Sequence, residues 1–407
     1  MNFLYIVFAG MFLHISTAWA DEGSSVWQDK SQLKFSGFGT LGISHLSNKN
    51  VDFATNVQPT GPGRTRDVDF GLDSRLGVQL DYDFDEDTTA TIQAVSERNA
   101  DKTFTPYISL LNLRHEFDNG LLIRAGRIQP TTYMATEYRL ANFPNPWVRP
   151  PVTVYGLIPL TALEAVDVSY PYVTDYGVFT GWLGVNQFDF DSARSNASGT
   201  DNVKGKNGRN IGIKWQQGAW LAKIGWSIYD VTYESPSIKA ALAGLSLFDP
   251  AAANALALNN TPLEIFSAGL TYEGQDWLMM AEWAERKSDA ILPTARGAYV
   301  TIGRQFGKTL PYVTIGRRET DNLSVTSNNP IASQIINQIF SFLNYSQWTA
   351  SLGVSYPILE KANLKFQIDW IKPDKGSFGP YTNHSTSYDS THPPTDVLIS
   401  VNLDFVF

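Results

Sequence analysis

Apolar and polar residues alternate one by one through much of this chain. Leu76, Val78, Leu80, Tyr82 and Phe84 interleave with Arg75, Gly77, Gln79, Asp81 and Asp83, and Trp220, Ala222, Ile224, Trp226 and Ile228 with Leu221, Lys223, Gly225, Ser227 and Tyr229. Trp277, Met279, Ala281 and Trp283 alternate with Leu278, Met280 and Glu282, and Leu364, Phe366, Ile368 and Trp370 with Lys365, Gln367, Asp369 and Ile371. A period of two belongs to strands, whose successive side chains point to opposite faces. The pattern predicts strands over 33–45, 72–84, 88–98, 107–117, 121–128, 163–170, 176–187, 209–216, 219–230, 263–272, 276–286, 296–305, 309–317, 346–356, 362–371 and 395–407. That is sixteen, an even number. Most are close to the ~9–11 residues that a tilted strand needs to cross a bilayer. Segments 163–170 and 296–305 alternate poorly.

The last segment is the clearest. Val397, Ile399, Val401, Leu403, Phe405 and Phe407 make one wholly apolar face, and Leu398, Ser400, Asn402, Asp404 and Val406 make a mixed, largely polar one. Apolar-out and polar-in is the order expected with lipid outside and water inside, and two closing aromatics suit a girdle at the membrane interface.

The gaps sort into two lengths. Asp85 to Asp87, Asp118 to Gly120, Pro171 to Asp175, Gln217-Gly218, Glu273 to Gln275, Phe306 to Lys308 and Pro357 to Lys361 are short. The alternate gaps are 46–71, 99–106, 129–162, 188–208, 231–262, 287–295, 318–345 and 372–394, most of them long. Asn-Gly and Gly-containing turns are hairpin chemistry, because they need positive φ. Short turns at one end and long loops at the other are the habit of outer-membrane barrels. A soluble sandwich has no reason to sort its turns in this way. Helical turns are expected inside two loops, at 240–258 and 331–343.

Composition agrees. Charged residues make up 17%, against a typical ~25%, while 11 Trp, 18 Tyr and 23 Phe are present and Cys is absent. Residues 1–20 form an apolar run closing on Ala18, Trp19 and Ala20 before Asp21. That reads as a cleaved secretory signal, although no Lys or Arg precedes the apolar stretch. Residues 21–407 then form one domain. Beyond that run no stretch of 18 or more apolar residues occurs, which excludes a helical membrane protein. The net charge of −9 argues against nucleic acid, whose phosphates need a basic patch.

Taken together, the signal, the alternating strands, the short/long rhythm and the terminal Phe407 resemble the Gram-negative outer-membrane porins. The likeness is one of architecture and covers nearly the whole mature chain. It implies an all-β, transmembrane antiparallel barrel that passes small hydrophilic solutes or ions, sits in outer-membrane lipid and assembles as a homotrimer. It also implies that the loop after the fifth strand folds inward and narrows the lumen. Here that loop is 129–162, the longest of the set. Its prolines at 130, 144, 146, 150 and 151 stiffen it and forbid sheet pairing, and Tyr133, Tyr138, Phe143, Trp147 and Tyr155 offer surfaces to pack against a wall.

Between Leu121 and Tyr155 the charges are Arg124, Arg127, Arg139 and Arg149 against Glu137 alone. Guanidinium is always ionised and forks onto carboxylate or phosphate, so such a ring favours anions in a narrow pore. Against this, Arg124 and Arg127 fall on opposite faces of their strand, and carboxylates such as Asp81, Asp83 or Glu97 would neutralise them. The pore constriction is therefore assigned to Arg124, Arg127, Tyr133, Glu137, Arg139, Trp147 and Arg149. The lumen wall is assigned to Arg75, Glu97, Lys223, Lys365 and Asp369.

Other chemistry is weakly signalled. The acidic run from Asp81 to Asp87 lacks the glycine and closing glutamate of a calcium loop, the histidines show no metal spacing, and no cofactor is indicated. A surface binding protein or hydrolase without an open channel is the alternative function. A hydrolase needs a positioned Ser and His, and no such constellation can be identified.

Overall fold

The computed structural model describes residues 32–55, 58–194 and 199–407; the predicted signal segment lies outside them. Among the described residues sixteen strands build the wall: β1 (Leu33–Leu46), β2 (Arg75–Asp83), β3 (Thr88–Glu97), β4 (Tyr107–Glu116), β5 (Leu122–Ile128), β6 (Leu163–Thr174), β7 (Gly177–Ala193), β8 (Thr200–Gln217), β9 (Trp220–Glu234), β10 (Thr261–Glu273), β11 (Trp277–Ser288), β12 (Ala295–Arg304), β13 (Leu310–Thr320), β14 (Gln347–Leu359), β15 (Ala362–Pro373) and β16 (Asp396–Val406). Each pairs antiparallel with its chain neighbours. The sheet closes where β1 meets β16, from Phe38 opposite Val406 to Leu46 opposite Leu398. Gly37 and Phe407 add a reciprocal pair of backbone hydrogen bonds at 3.0 Å. Closure leaves no edge strand, which is the condition for spanning a bilayer with sheet.

The two faces separate as the alternation demands. Leu76, Val78, Leu80, Ile211, Ile213, Ile224, Val313, Ile315, Leu352 and Ile399 are exposed, whereas Thr40, Ser44, Gln79, Gln93, Asp167, Gln367, Ser400, Asn402 and Asp404 are buried. The exposed face is apolar and the shielded face polar, so lipid is the outer solvent. Exposed aromatics cluster at the short-turn end, with Tyr82, Phe84, Tyr170, Tyr172, Trp220, Trp277, Phe306 and Phe407. Trp283, Trp348 and Trp370 lie towards the long-loop end. Amphipathic rings at both interfaces are the expected anchors. Packing along the wall uses small-to-large pairing: a Cβ on Gly77 would stand 2.3 Å from the Phe38 ring, and one on Gly39 2.3 Å from that of Phe405. Glycine at these places lets an aromatic ring lie flat on the neighbouring strand.

The poorly alternating segments are strands. On β12 the inward residues are Ala295, Gly297, Tyr299, Thr301 and Gly303, with Tyr299 2% exposed against the loop, and Arg296 and Arg304 end the outward face, so polarity does not follow parity. The expected long gap 188–208 needs correction. β7 and β8 continue past the membrane and pair up to Ala193 opposite Thr200, so only 194–199 joins them. Beyond the lipid the outward positions turn polar, and apolar-out alternation fades before the strand does.

One short helix that the sequence pattern does not predict, α1 (Val152–Tyr155), lies in the loop after β5; the predicted helical turns are α2 (Pro236–Ser246) and α3 (Pro250–Leu256), which follow β9, and α4 (Pro330–Leu343), which follows β13. Ser235, Asp249 and Asn329 cap α2, α3 and α4. None is long and apolar enough to cross a membrane among the described residues. Leu245 and Leu256 of these helices pack in one cluster with Trp147, Val154, Leu157, Val231 and Ile291.

Two predictions follow from this arrangement. An arginine at outward-facing Leu352 should cost about 2–4 kcal/mol at mid-bilayer and one at Leu359, beside a short turn, about 0–1, read from denaturant titrations in lipid vesicles. In loop 374–395, His384 packs 4.4 Å from Phe378 and 5.4 Å from Tyr388. Burial, with Arg64 adding to it, pushes its pKa down to about 4. The unfolded loop takes the proton near the ordinary ~6.5. The stability that neutral His384 lends is therefore complete above that value and lost as pH falls towards 4. Limited proteolysis of this loop should accelerate over that window, and His384→Phe should flatten the response.

Candidate functional site

The segment 129–162 does not leave the barrel. After β5 its backbone and side chains bond in turn to the inner wall. Thr131 accepts from Asn210 at 3.2 Å on β8, and the Tyr133 carbonyl from Lys223 Nζ at 2.9 Å on β9. The Thr132 carbonyl accepts from Ser267 on β10, and Met134 N–H donates to Glu282 at 2.9 Å on β11. Trp147 Nε1 donates to Thr301 at 2.9 Å and Thr314 at 3.2 Å on β12 and β13. Val148 donates to Gln367 at 3.2 Å and accepts from Asn402 at 2.9 Å on β15 and β16. The Gly156 and Leu157 carbonyls each accept from an arginine, Arg318 and Arg286, at 3.0 Å. A segment touching so many strands on their shielded face lies within the barrel.

Internal packing stiffens it. Tyr155 Oη accepts from the Ala135 N–H at 2.9 Å, the Tyr133 and Tyr155 rings meet at 5.3 Å, and Trp147 stands edge-on to Tyr299 at 5.5 Å. Pro151 caps α1; a proline there loses no hydrogen bond the helix needs.

The four predicted arginines are not equivalent. Arg149 forks onto Asp73, Nε to Oδ1 at 2.9 Å and Nη2 to Oδ2 at 2.6 Å. It also reaches Asp369 at 3.3 Å and Ser400 at 2.7 Å. Arg124 is held by Asp167 at 3.0 and 2.6 Å across β5 and β6. Arg127 lies opposite Glu164, donating at 2.6 Å, with the Ile108 carbonyl at 2.7 Å. Neutralisation by strand carboxylates is thus real, but the partners are Asp167 and Glu164. Arg139 alone of the four has no carboxylate partner among the described residues. It is 9% exposed, its Nη1 has no hydrogen-bond partner, and its guanidinium lies 5.8 Å from the Tyr155 ring centre. Glu137 is exposed, and the cations acting on it are Lys223, Arg124 and Lys214.

The predicted wall residues divide as well. Lys365 and Asp404 form a 2.7 Å ion pair with both side chains fully buried. Lys365 also donates to the Asn142 carbonyl at 2.7 Å, and Asn142 to Asp404 at 3.1 Å. With Lys223 and Asp369, Lys365 therefore anchors the loop from the inner wall. Arg75 and Glu97 face each other at 3.7 Å, and Tyr107 Oη donates to Glu97 at 2.7 Å. These three line a cavity of about 690 Å³ between the loop and strands β2 to β8, together with Arg127, Arg139 and Arg149. Sequence reasoning missed Asp73, Tyr107, Asn142 and Asp404. Parity already placed Asp404 inward beside the position of Lys365, and Asp73, within the predicted strand 72–84, on the same face as Arg75, whereas Asn142 sits in irregular chain with no periodic signal.

The anchoring pair gives a stability prediction. Lys365→Met leaves a buried carboxylate without its cation and should cost about 3–5 kcal/mol, and adding Asp404→Leu should restore most of that. Denaturant unfolding of both variants in detergent checks the cycle.

No family model and no curated protein matches this chain. Solved structures do. OmpF of Salmonella typhi, in complex with daunomycin, is 11% identical over 94% of this chain and 99% of its own, with a TM-score of 0.56. The outer membrane channel DcaP of Acinetobacter baumannii is 11% identical over 92% and 97%, at 0.54. An anion-selective porin from Comamonas acidovorans is 12% identical over 92% and 99%, at 0.52. The likeness at this identity is one of fold: the chain has the closed sixteen-stranded architecture of the outer-membrane porins.

Proposed function

We propose that the protein is an outer-membrane channel for passive diffusion of small hydrophilic solutes, with anions favoured over cations. The observation that carries this reading is the loop 129–162, which lies inside a closed polar-walled barrel and is pinned to β8–β13, β15 and β16. Its anchors leave the space along β2 to β8 open, so solutes pass between the loop and that wall. Selection there needs no covalent chemistry; it comes from width and local charge, and catalysis has no part in the proposal. Residues 1–20 serve as the export signal, and the barrels assemble as trimers in the membrane.

Anion preference has a narrower basis than four arginines. Arg149, Arg124 and Arg127 are each offset by a carboxylate within hydrogen-bonding distance. The cation on the cavity lining without a carboxylate partner among the described residues is Arg139, with Arg75 beside it, and carboxylates such as Asp189 and Asp191 on the same lining oppose it. Selectivity should therefore be modest and sensitive to salt, since screening lengths shrink from about 10 Å at 0.1 M to about 3 Å at 1 M.

The test is single-channel recording in planar bilayers under a KCl gradient. Open channels with a reversal potential favouring chloride are expected, weaker at 1 M than at 0.1 M, and moved towards potassium by Arg139→Gln. Potassium selectivity in the unaltered protein would remove the anion reading and keep the channel. A folded but silent barrel would overturn the channel itself and favour a surface-binding or hydrolytic role.

A further inference from the structure

The cavity between loop and wall has a lining of mixed character: it includes the guanidinium groups of Arg75 and Arg139 and the apolar side chains of Leu160, Phe188 and Phe190. Its volume of about 690 Å³ falls in the range of small-molecule sites, ~300–1,000 Å³, which combine apolar walls with a few placed polar groups.

Arg139 is the unusual member. The other arginines on the lining have carboxylates: Arg98 has Asp69 at 2.9 Å, Arg149 has Asp73 at 2.6 Å, Arg127 has Glu164 and Arg75 has Glu97 at 3.7 Å. Arg139 is nine-tenths buried, and its Nη1 lacks a partner among the described residues. Tyr155 supplies a ring beside the guanidinium but no acceptor aimed at it. Glu97 acts on Arg139 only at a distance and is already taken by Arg75 and Tyr107. A desolvated cation with free donors is an expensive arrangement unless something completes it. Nη1 is sealed from solvent, so a completing group would reach the other guanidinium nitrogens from the cavity that Arg139 lines.

We propose that this cavity is a binding subsite for small amphipathic carboxylates: solutes with one carboxylate, received by Arg139, and an apolar or aromatic body laid on the Leu160, Phe188 and Phe190 side chains. One charge is favoured over two because Glu97, Glu164, Asp189 and Asp191 also line the cavity. A dianion such as phosphate would satisfy Arg139 and then face those acids. The carboxylate accepts two parallel N–H bonds from the Nε and Nη2 edge of the guanidinium, while the apolar lining removes the body from water. The inference rests on the channel reading only for how the solute arrives.

Titration calorimetry on the purified, detergent-folded protein tests it with benzoate, acetate, benzylamine and inorganic phosphate. Benzoate should bind at least about tenfold more tightly than acetate or phosphate, and benzylamine should give no heat. Arg139→Met should weaken benzoate at least about tenfold, a loss expected when a charge-assisted fork is removed. Heat-dependent gel migration reports whether the variant is folded; if it is not, Arg139→Lys keeps the charge and should retain benzoate binding over acetate. Phe188→Ala should narrow the gap between benzoate and acetate. Equal binding of benzoate and acetate, tighter binding of phosphate, or benzoate affinity untouched by the Arg139 variant would each overturn the subsite. Bilayer currents separate this from the channel reading. Open channels in a protein that ignores benzoate remove the subsite alone, whereas benzoate binding by a silent barrel removes the channel alone.

Discussion

Everything in this molecule follows from the need to satisfy backbone N–H and C=O groups in a solvent that offers none. Within hydrocarbon each unpaired group costs several kcal/mol, so sheet is permitted only if it closes. Pairing between β1 and β16 provides that closure, and the period-two rule then fixes every side chain as lipid-facing or interior. A one-residue slip would turn Leu76, Val78 and Leu80 inward and Arg75, Gln79 and Asp81 out to lipid. The alternation in segments such as 76–84 is what a sheet with no freedom of register demands.

A closed barrel of sixteen strands is too wide for its own side chains to fill. The interior must therefore be filled by water or by chain, and this protein uses both. Loop 129–162 and the cluster around α2, α3 and α4 occupy the side of β9 to β13, leaving polar space along β2 to β8. What locates the loop is a small set of buried charges: Lys365 with Asp404, and Arg149 with Asp73 and Asp369. Buried pairs of this kind are weak evidence of stability, and their best-attested use is to specify position. That suits the situation here, since apolar packing alone would let an irregular proline-rich segment settle in several ways against the same wall.

Strand number, lipid-facing residues and the rhythm of turns were legible because each is a direct consequence of period two. Val397 to Phe407 was readable in both its faces, including the two closing aromatics. Legibility failed where a second constraint acted on the same residues. On β12 Tyr299 faces the loop among small inward residues while Arg296 and Arg304 flank the apolar outward ones, and the ends of β7 and β8 stand above the lipid, so they lost their apolar face. The inner site was half legible. Parity could say that Lys365, Asp369 and Lys223 point inward, but not whether water or the loop would meet them, because that depends on the path of chain without periodicity. For the same reason Arg149 and Arg139 looked alike in sequence. One finds Asp73 and the other finds no carboxylate, and nothing local to either residue distinguishes them.

That difference bears on how charge in such a chain should be read. The protein as a whole carries −9, yet exposed charges more than about a Debye length, ~10 Å at 0.1 M salt, from a solute's path are largely screened. Those inside are mostly cancelled in pairs only a few ångströms long. A paired arginine presents a dipole whose field falls off faster than that of a lone charge, so counting arginines overstates the field. What remains is the group whose partner is missing, held where the low-dielectric wall screens it least. On the lining of the cavity between loop and wall that group is Arg139, and the proline-stiffened loop carries it.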